Sequence, residues 1–383
     1  MQMIDDSALA AAFGSANLPG AVALLVDCDG VTFARTYGVA DTASQTPMRD
    51  DTLFQIASMT KAITSVAAMQ LVEQGKLALD EPIGAVLPEL AAPQVLTGFA
   101  DDGTPQVRPA TRPLTLRHLL THTAGFGYAF VHPDVLKSFG PAGPPQGNAK
   151  AGITMPLLFE PGERWEYSVA TDWAGLAVEA ASGLSLQDYL AQHVTGPLRM
   201  TATRFRNVED MPEGAAKVHV RTPDGALVPV PMHIQGGDFF SGGGGLTATA
   251  PDYARFVRML LRGGELDGVR ILSRETIAEM TRNQVAPLRA GYMGTAMPAM
   301  AQPYDTFPDQ HTGWGLGFLI NPERGPNGRS SNSQAWAGIF NSYYWFDPAK
   351  GVGGVFMSQL APFGDPGALA MFGALERMAY TTR

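Results

Sequence analysis

The sequence predicts an α/β protein in which an antiparallel sheet is flanked by helices and joined to a mainly helical region. Three observations carry this prediction. Strand-like runs lie towards both ends of the chain, a helix-forming segment stands outside each of them, and the middle is dominated by helical spacing and loops. If the two strand-rich ends share one sheet, the two terminal helices can pack together on one of its faces.

The first helix is expected from Asp6 onward. Residues 21–37, AVALLVDCDGVTFARTY, are two β-rich runs joined at Asp29-Gly30, a pair suited to the positive φ angles of a tight turn, and so predict a hairpin. SMTKAITSVAAMQLVEQ sets Ala62, Ile63, Val66, Ala67 and Leu71 on one helical stripe and stops at Gly75. Residues 96–113, LTGFADDGTPQVRPATRP, have no period and many breakers, which predicts an irregular excursion. LTLRHLLTHTAG, SLQDYLAQHV and TAPDYARFVRMLLRGG read as further helices; Ser185 with Asp188 and Thr249 with Asp252 have capping-box spacing. Ser241-Gly242-Gly243-Gly244-Gly245 reads as a tight loop leading to the Thr249 cap. GWGLGFLIN, WAGIFNSYYWFDP and GVGGVFMSQL extend the sheet, with Asp347-Pro348 opening the turn between the last two, and LAMFGALERMAY is the closing helix. The expected division is an α/β domain from 1–80 and 226–383, with a mainly helical domain at 81–225.

Composition sets limits on partners. Of 383 residues 45% are hydrophobic, enough for a sizeable core, and the net charge of -9 gives no electrostatic reason to bind nucleic acid or an anionic membrane. The start, MQMIDDSALAAAFGSANLPG, has acidic residues where a signal peptide needs basic ones, and no run approaches the ~20 apolar residues of a membrane span. A soluble, cytoplasmic protein is expected; the oligomeric state is not legible. The single cysteine, Cys28, excludes an internal disulfide and a Cys-based zinc cluster, and reads as a buried thiol.

The residues that can carry chemistry begin with Ser58-Met59-Thr60-Lys61. Spacing of three at a helix start puts Ser58 and Lys61 on one face, beside the backbone N–H groups that the first turn leaves unpaired. A hydroxyl there has a donor-lined site for an oxyanion and an amine to assist proton removal. Alone the tetrapeptide is weak, since a chain of this length contains roughly one Ser-x-x-Lys by chance and serine is a common N-cap. His118 and His122 are four apart, but His118-Leu119-Leu120-Thr121-His122 lacks the glutamate of a zinc-protease motif, and His122 is expected to bond backbone. The absence of Gly-x-Ser-x-Gly argues against an ordinary α/β-hydrolase elbow.

FQIASMTKAITS, LTLRHLLTHTAGFGY, EPGERWEYSVATDWAGLAVE and WAGIFNS follow one another in an order and spacing that resembles the serine β-lactamase and penicillin-binding protein superfamily. Within it the chain looks most like the family VIII carboxylesterases, bacterial esterases on the class C β-lactamase fold. The resemblance runs from the first hairpin to MSQLAPF. It implies a β-lactamase-like fold, no cofactor and no metal, with Ser58 as nucleophile, Lys61 as its helix partner and Tyr167 of Tyr167-Ser168-Val169 as the third catalytic residue. It also implies an oxyanion hole from the backbone N–H groups of Ser58 and Ile339. A phenol has an ordinary pKa near 10, so a basic Tyr167 would need a cation such as Lys61 and would titrate with it. Without the resemblance, packing is the favoured reading of Tyr167.

Trp336-Ala337-Gly338 falls where β-lactamases of this superfamily carry Lys-Thr-Gly. Trp336 therefore stands in for a lysine that would attract a β-lactam carboxylate, and Val169 for an asparagine near the acyl side chain. Both changes favour an uncharged ester. Trp336, Gly338, Val169 and Tyr128 are expected to contact substrate, and Phe130, Trp314 and Phe240 to lie near the cleft, packing being the default for each. The functional expectation is a serine esterase for small-molecule carboxylic esters of short to medium acyl chain, with Lys61 and Tyr167 as general acid and base. Alternatives are a β-lactamase or D-Ala peptidase, an acyltransferase to an alcohol or amine, and a silent binding protein.

Overall fold

The apolar runs from the two ends of the chain meet in one sheet. In the computed structural model, which describes residues 6–145, 147 and 149–381, this sheet has eight strands. Residues 1–5, part of the start that reads as lacking a leader, lie outside the described residues. The N-terminal region supplies β1 (Gly20–Asp27), β2 (Val31–Asp41) and β3 (Thr46–Pro47). The C-terminal region supplies β4 (Gly313–Trp314), β5 (Leu319–Asn321), β6 (Ser333–Gly338), β7 (Ser342–Asp347) and β8 (Val352–Met357). Their order is β4-β5-β6-β7-β8-β1-β2-β3, each neighbouring pair antiparallel. The seam between the two regions pairs Val22 with Met357 and Asp27 with Val352.

Five helices cover this sheet or frame the site: α1 (Ser7–Ala16), α2 (Thr60–Glu73), α3 (Ala170–Ser182), α4 (Ala250–Leu261) and α5 (Pro366–Thr381). Strand β7 shows how two of them cover opposite faces. Side chains alternate along a strand, so Tyr343 and Trp345 reach Phe372 of α5, with ring centroids 4.8 and 5.5 Å away, while Tyr344 meets Tyr253 of α4 at 5.1 Å. Every residue of β6, β7 and β8 is buried, which is why their apolar residues run consecutively rather than alternating with exposed polar ones. Glycine at 353 admits the close approach of α4, since a Cβ there would lie 2.7 Å from Val257 Cγ1. Helix α1 packs against α5, so the ends meet on one face as expected. There Glu376 of α5 bonds the guanidinium of buried Arg329, whose charge also faces the rings of Phe307, Trp345 and Phe372 at 5.5, 5.7 and 5.7 Å.

Local signals placed several elements correctly. Ser185 Oγ and Thr249 Oγ1 accept the N–H groups of Asp188 and Asp252, at 3.1 and 3.3 Å, capping their helices, and the chain turns at Asp347 between β7 and β8. Other expectations need correction. The first hairpin forms, but neither Asp29 nor Gly30 enters the left-handed region; Asp27 Oδ1 instead accepts the N–H groups of Asp29 and Gly30 at 2.8 and 2.9 Å. Cys28 lies in that turn, partly exposed rather than buried. Residues 94–109 are a hairpin, Gln94–Phe99 against Pro105–Pro109, instead of an irregular excursion. Helix α2 buries every residue from Thr60 to Leu71 rather than one stripe, because it runs through the interior with other elements on all sides. GWGLGFLIN is two strands, β4 and β5.

WAGIFNSYYWFDP is also two strands, because the chain reverses between β6 and β7 at Asn341, whose φ is 61°. Asparagine tolerates this region, and here its fully buried amide makes the turn rigid. Nδ2 donates to the carbonyls of Leu360 and Pro362, both at 2.8 Å, and Oδ1 accepts from Tyr343 Oη at 2.8 Å and from the N–H groups of Gly364 and Asp365, each at 3.1 Å. Among the described residues no helix is long and apolar enough to cross a membrane.

Candidate active site

Ser58 lies in a single 3-10 turn, Ala57–Met59, that leads into α2. Ala57 has φ of 46°, an unfavourable value for a residue with a Cβ, so the surroundings must hold it. They do so through the backbone: Ile56 N–H donates to Leu246 O at 3.1 Å, and Tyr253 Oη to Met59 O at 2.9 Å. The end of β6 closes on the same turn, where a Cβ on Gly338 would lie 2.5 Å from Ile56 O. Glycine at 338 therefore serves backbone-to-backbone approach, which brings the following residue, Ile339, to the wall beside Ser58.

Lys61 is 1% exposed, and its ammonium has three acceptors. Nζ donates to Ser58 Oγ at 3.1 Å, to Tyr128 Oη at 2.9 Å and to Gly243 O at 2.6 Å. That uses all three N–H groups. Nζ also lies 5.1 Å from the centre of the Tyr128 ring and 4.8 Å from that of Tyr167. The tyrosine hydroxyl bonded to Lys61 is thus that of Tyr128; Tyr167 meets the cation through its ring. Burial, reinforced by Asp172 and Tyr167, holds the Tyr128 phenol well above its ordinary pKa, so it stays protonated. The Tyr167 oxygen accepts from Trp336 Nε1 at 3.0 Å.

Tyr167 is positioned by the turn into α3. Ser168 Oγ accepts the N–H of Ala170 at 3.3 Å and meets His122 Nδ1 at 3.1 Å. His122, with φ of 57°, ends the helix Leu116–Thr121 and so does not share a helical face with His118, which bonds Thr115 Oγ1 at 3.1 Å. The expectation that the His122 ring bonds backbone is corrected: it bonds Ser168 and packs 4.9 Å from Tyr167 and 5.1 Å from Trp314. Burial first, and the Lys61 charge second, hold it well below its ordinary pKa and hence neutral.

Asp172, which sequence reasoning missed, lies five residues beyond Tyr167 in the first turn of α3 and is 4% exposed. Oδ1 accepts from Ser241 Oγ at 2.6 Å and from Gly243 N–H at 2.9 Å. Gly243 then accepts Lys61, so one residue's backbone links carboxylate to ammonium. Burial raises the Asp172 pKa, while Lys61, Ser241 and Gly243 oppose that rise by favouring the charged form. An acidic residue inside the otherwise apolar segment ATDWAGLAV was the available signal.

Ser58 opens on two spaces. A cavity of about 390 Å³ is lined by Tyr128, Phe130, Val169, Ile339 and Phe340, with Phe139, Ile153, Met232, Ile234, Phe239, Met297 and Met300 completing most of its apolar wall. A recess of about 20 Å³ is bounded by Tyr167, Trp336, Gly338, Ile339 and Met293. The expected contact residues thus divide: Tyr128 and Val169 face the cavity, Trp336 and Gly338 the recess, and Phe130 borders both. Trp314 and Phe240 line neither among the described residues. The Trp314 indole is buried and donates to Leu120 O at 3.1 Å, and Phe240 packs on Phe205 at 5.1 Å.

The sequence matches the β-lactamase family over residues 6–376. It is 32% identical to monacolin J acid methylbutanoyltransferase of Aspergillus terreus, covering 94% of this chain and 91% of that protein. It is 31% identical to lovastatin esterase of Penicillium rubens, covering 91% of each. A simvastatin synthase structure from Aspergillus terreus superposes with a TM-score of 0.84 at 29% identity, covering 98% of this chain and 96% of that one.

Proposed function

The chain belongs to the β-lactamase family, and from that premise we propose that it is an acyltransferase, passing a short acyl group from an ester donor through Ser58 to the hydroxyl of a bulky apolar alcohol. A serine acyl-enzyme mechanism is common ground for transfer and hydrolysis. The observation favouring transfer is the cavity: at about 390 Å³ it exceeds the ~30 Å³ share of one water more than tenfold, and its walls are mostly apolar. That space suits a second organic molecule better than a solvent nucleophile. The sequence alone ranked hydrolysis first; cavity size and the transferase relative reverse the order.

In the proposed mechanism Ser58 Oγ attacks the donor carbonyl as its proton leaves towards Tyr167. Lys61, its N–H groups committed, contributes charge and position rather than a lone pair, and Trp336 N–H steadies the phenolate oxygen of Tyr167. The N–H groups of Ser58 and Ile339 would take the developing oxyanion, an arrangement typically worth ~3 kcal/mol per donor in the transition state. The leaving alcohol takes the proton from Tyr167, and the acceptor hydroxyl then enters by the reverse route.

Hydrolysis is the second reading, favoured by partial exposure of Ser58 and by the esterase relative. The two separate in one experiment: p-nitrophenyl butyrate is turned over with increasing 2-naphthalenemethanol, and butyrate ester and free butyrate are quantified. Transfer predicts that ester becomes the main product as the alcohol saturates. Free acid alone at saturation rejects transfer, and activity surviving in Ser58→Ala rejects both readings.

A further inference from the structure

We propose that the cavity contains two further recognition points, the unpartnered acceptors Asp172 Oδ2 and His233 Nδ1, which select an alcohol carrying an additional hydrogen-bond donor and reject a carboxylate. The inference rests on the reading of this cavity as the substrate site. It deepens that reading by naming the chemistry of the molecule held.

Two side chains carry it. Both Asp172 hydrogen bonds fall on Oδ1, leaving Oδ2 unpartnered in a residue that is 4% exposed and lines the cavity. Burial raises the Asp172 pKa, and against it the Lys61 charge and the two donors on Oδ1 favour the carboxylate form. His233 lines the same cavity, and its Nε2 lies 2.8 Å from Arg206 O. A carbonyl only accepts, so Nε2 carries a hydrogen, and the tautomer this selects has its lone pair at Nδ1. Nδ1 makes no hydrogen bond among the described residues.

A ligand must therefore bring donors. A hydroxyl or ammonium group satisfies either atom. At these two atoms a carboxylate would meet acceptors only, and no lysine or arginine is among the described residues lining the cavity. Lys61 offers no remedy, because its three N–H groups are engaged by Ser58, Tyr128 and Gly243. Both atoms face the cavity without a protein partner, so a matched donor adds orientation and affinity.

The test uses 2-naphthyl acetate bearing methyl, hydroxymethyl, aminomethyl or carboxylate at position 6. Relative to methyl, kcat/KM should rise about tenfold for the two donor groups and fall about tenfold for carboxylate. Asp172→Asn retains an oxygen for Ser241 and Gly243 while placing an amide donor where Oδ2 was. It should erase the aminomethyl preference and relieve the carboxylate penalty, whatever its absolute rate. His233→Phe should remove the hydroxymethyl preference, and decides the question if the Asn variant does not fold. Calorimetric binding of the four matching 2-naphthols to Ser58→Ala protein should give the same ranking without turnover. Failure of any acetate to react would reject the acyl-enzyme reading, whereas a flat series in binding, or ratios unchanged in both variants, would overturn the two recognition points.

Discussion

Trp336 donates its indole N–H to the hydroxyl oxygen of Tyr167 at 3.0 Å, with the two rings tilted by 55° and their centroids 4.9 Å apart. The tryptophan stands where the superfamily resemblance places a lysine. A neutral N–H offers the Tyr167 oxygen a donor without presenting a cation to the substrate, so the proposed base would keep support while the site loses attraction for a carboxylate. The same geometry explains why Trp336 borders only the small recess.

Trp336→Phe preserves the aromatic stack and removes the donor. The expected result is a loss of about tenfold or more in kcat, with a smaller change in KM, as for one hydrogen bond to a charged group. Steady-state kinetics with p-nitrophenyl butyrate checks this; equal kcat in the two proteins would show that the bond does not assist the chemistry.

Tyr128 and Tyr167 should separate in the same assay. Tyr167→Phe removes the proposed proton acceptor and should cost on the order of 10³-fold in kcat. Tyr128→Phe removes one of three acceptors from Lys61 and should cost about tenfold. The reverse ranking would transfer the acid–base role to Tyr128.

Glu166, partly buried next to Tyr167, has its carboxyl raised by burial to about 7 despite the opposing charge of Arg164. Its folded pKa lies above the ordinary value of 4.5, so the folded protein binds more protons between those limits and this contribution is lost as pH rises through about 7. His122 has the opposite sign: its pKa is depressed below 6.5, so the unfolded chain takes up the proton and stability falls as pH drops below that value. Glu166→Gln should therefore melt at least ~2 °C above the parent at pH 8 and show no such gain at pH 4.5. Melting curves at the two pH values read the difference directly.

Glu376→Ala leaves the Arg329 guanidinium buried without its carboxylate. A loss of about 3–5 kcal/mol in unfolding free energy is expected, measured by urea denaturation. The kcat of the surviving folded fraction should be unchanged, because the pair lies between α5 and the loop before β6, away from Ser58.

Much of the fold was legible because its signals are local. Thr249 and Ser185 cap helices a few residues away, and continuous apolar runs such as GVGGVFM are what a strand covered on both faces requires. Local reading failed where partners are remote. WAGIFNSYYWFDP divides because Asn341 can hold φ of 61° while bonding residues 360–365, a network absent from the peptide itself. The sequence marked one apolar stripe on α2, and nothing in those residues reveals that other elements pack around the rest of the helix.

By itself the sequence determined the ordered set of candidate groups, Ser58, Lys61 and Tyr167, and the replacement of two polar positions by Trp336 and Val169. Only the tertiary structure decided how those groups are connected: that Lys61 bonds Tyr128, that Tyr167 bonds Trp336, and that Asp172 reaches Lys61 through Gly243. The reason is physical. Helical spacing fixes which neighbours share a face, but the partners of a buried charge are chosen by the packing of distant elements, each of which must satisfy the polar groups that burial takes from water.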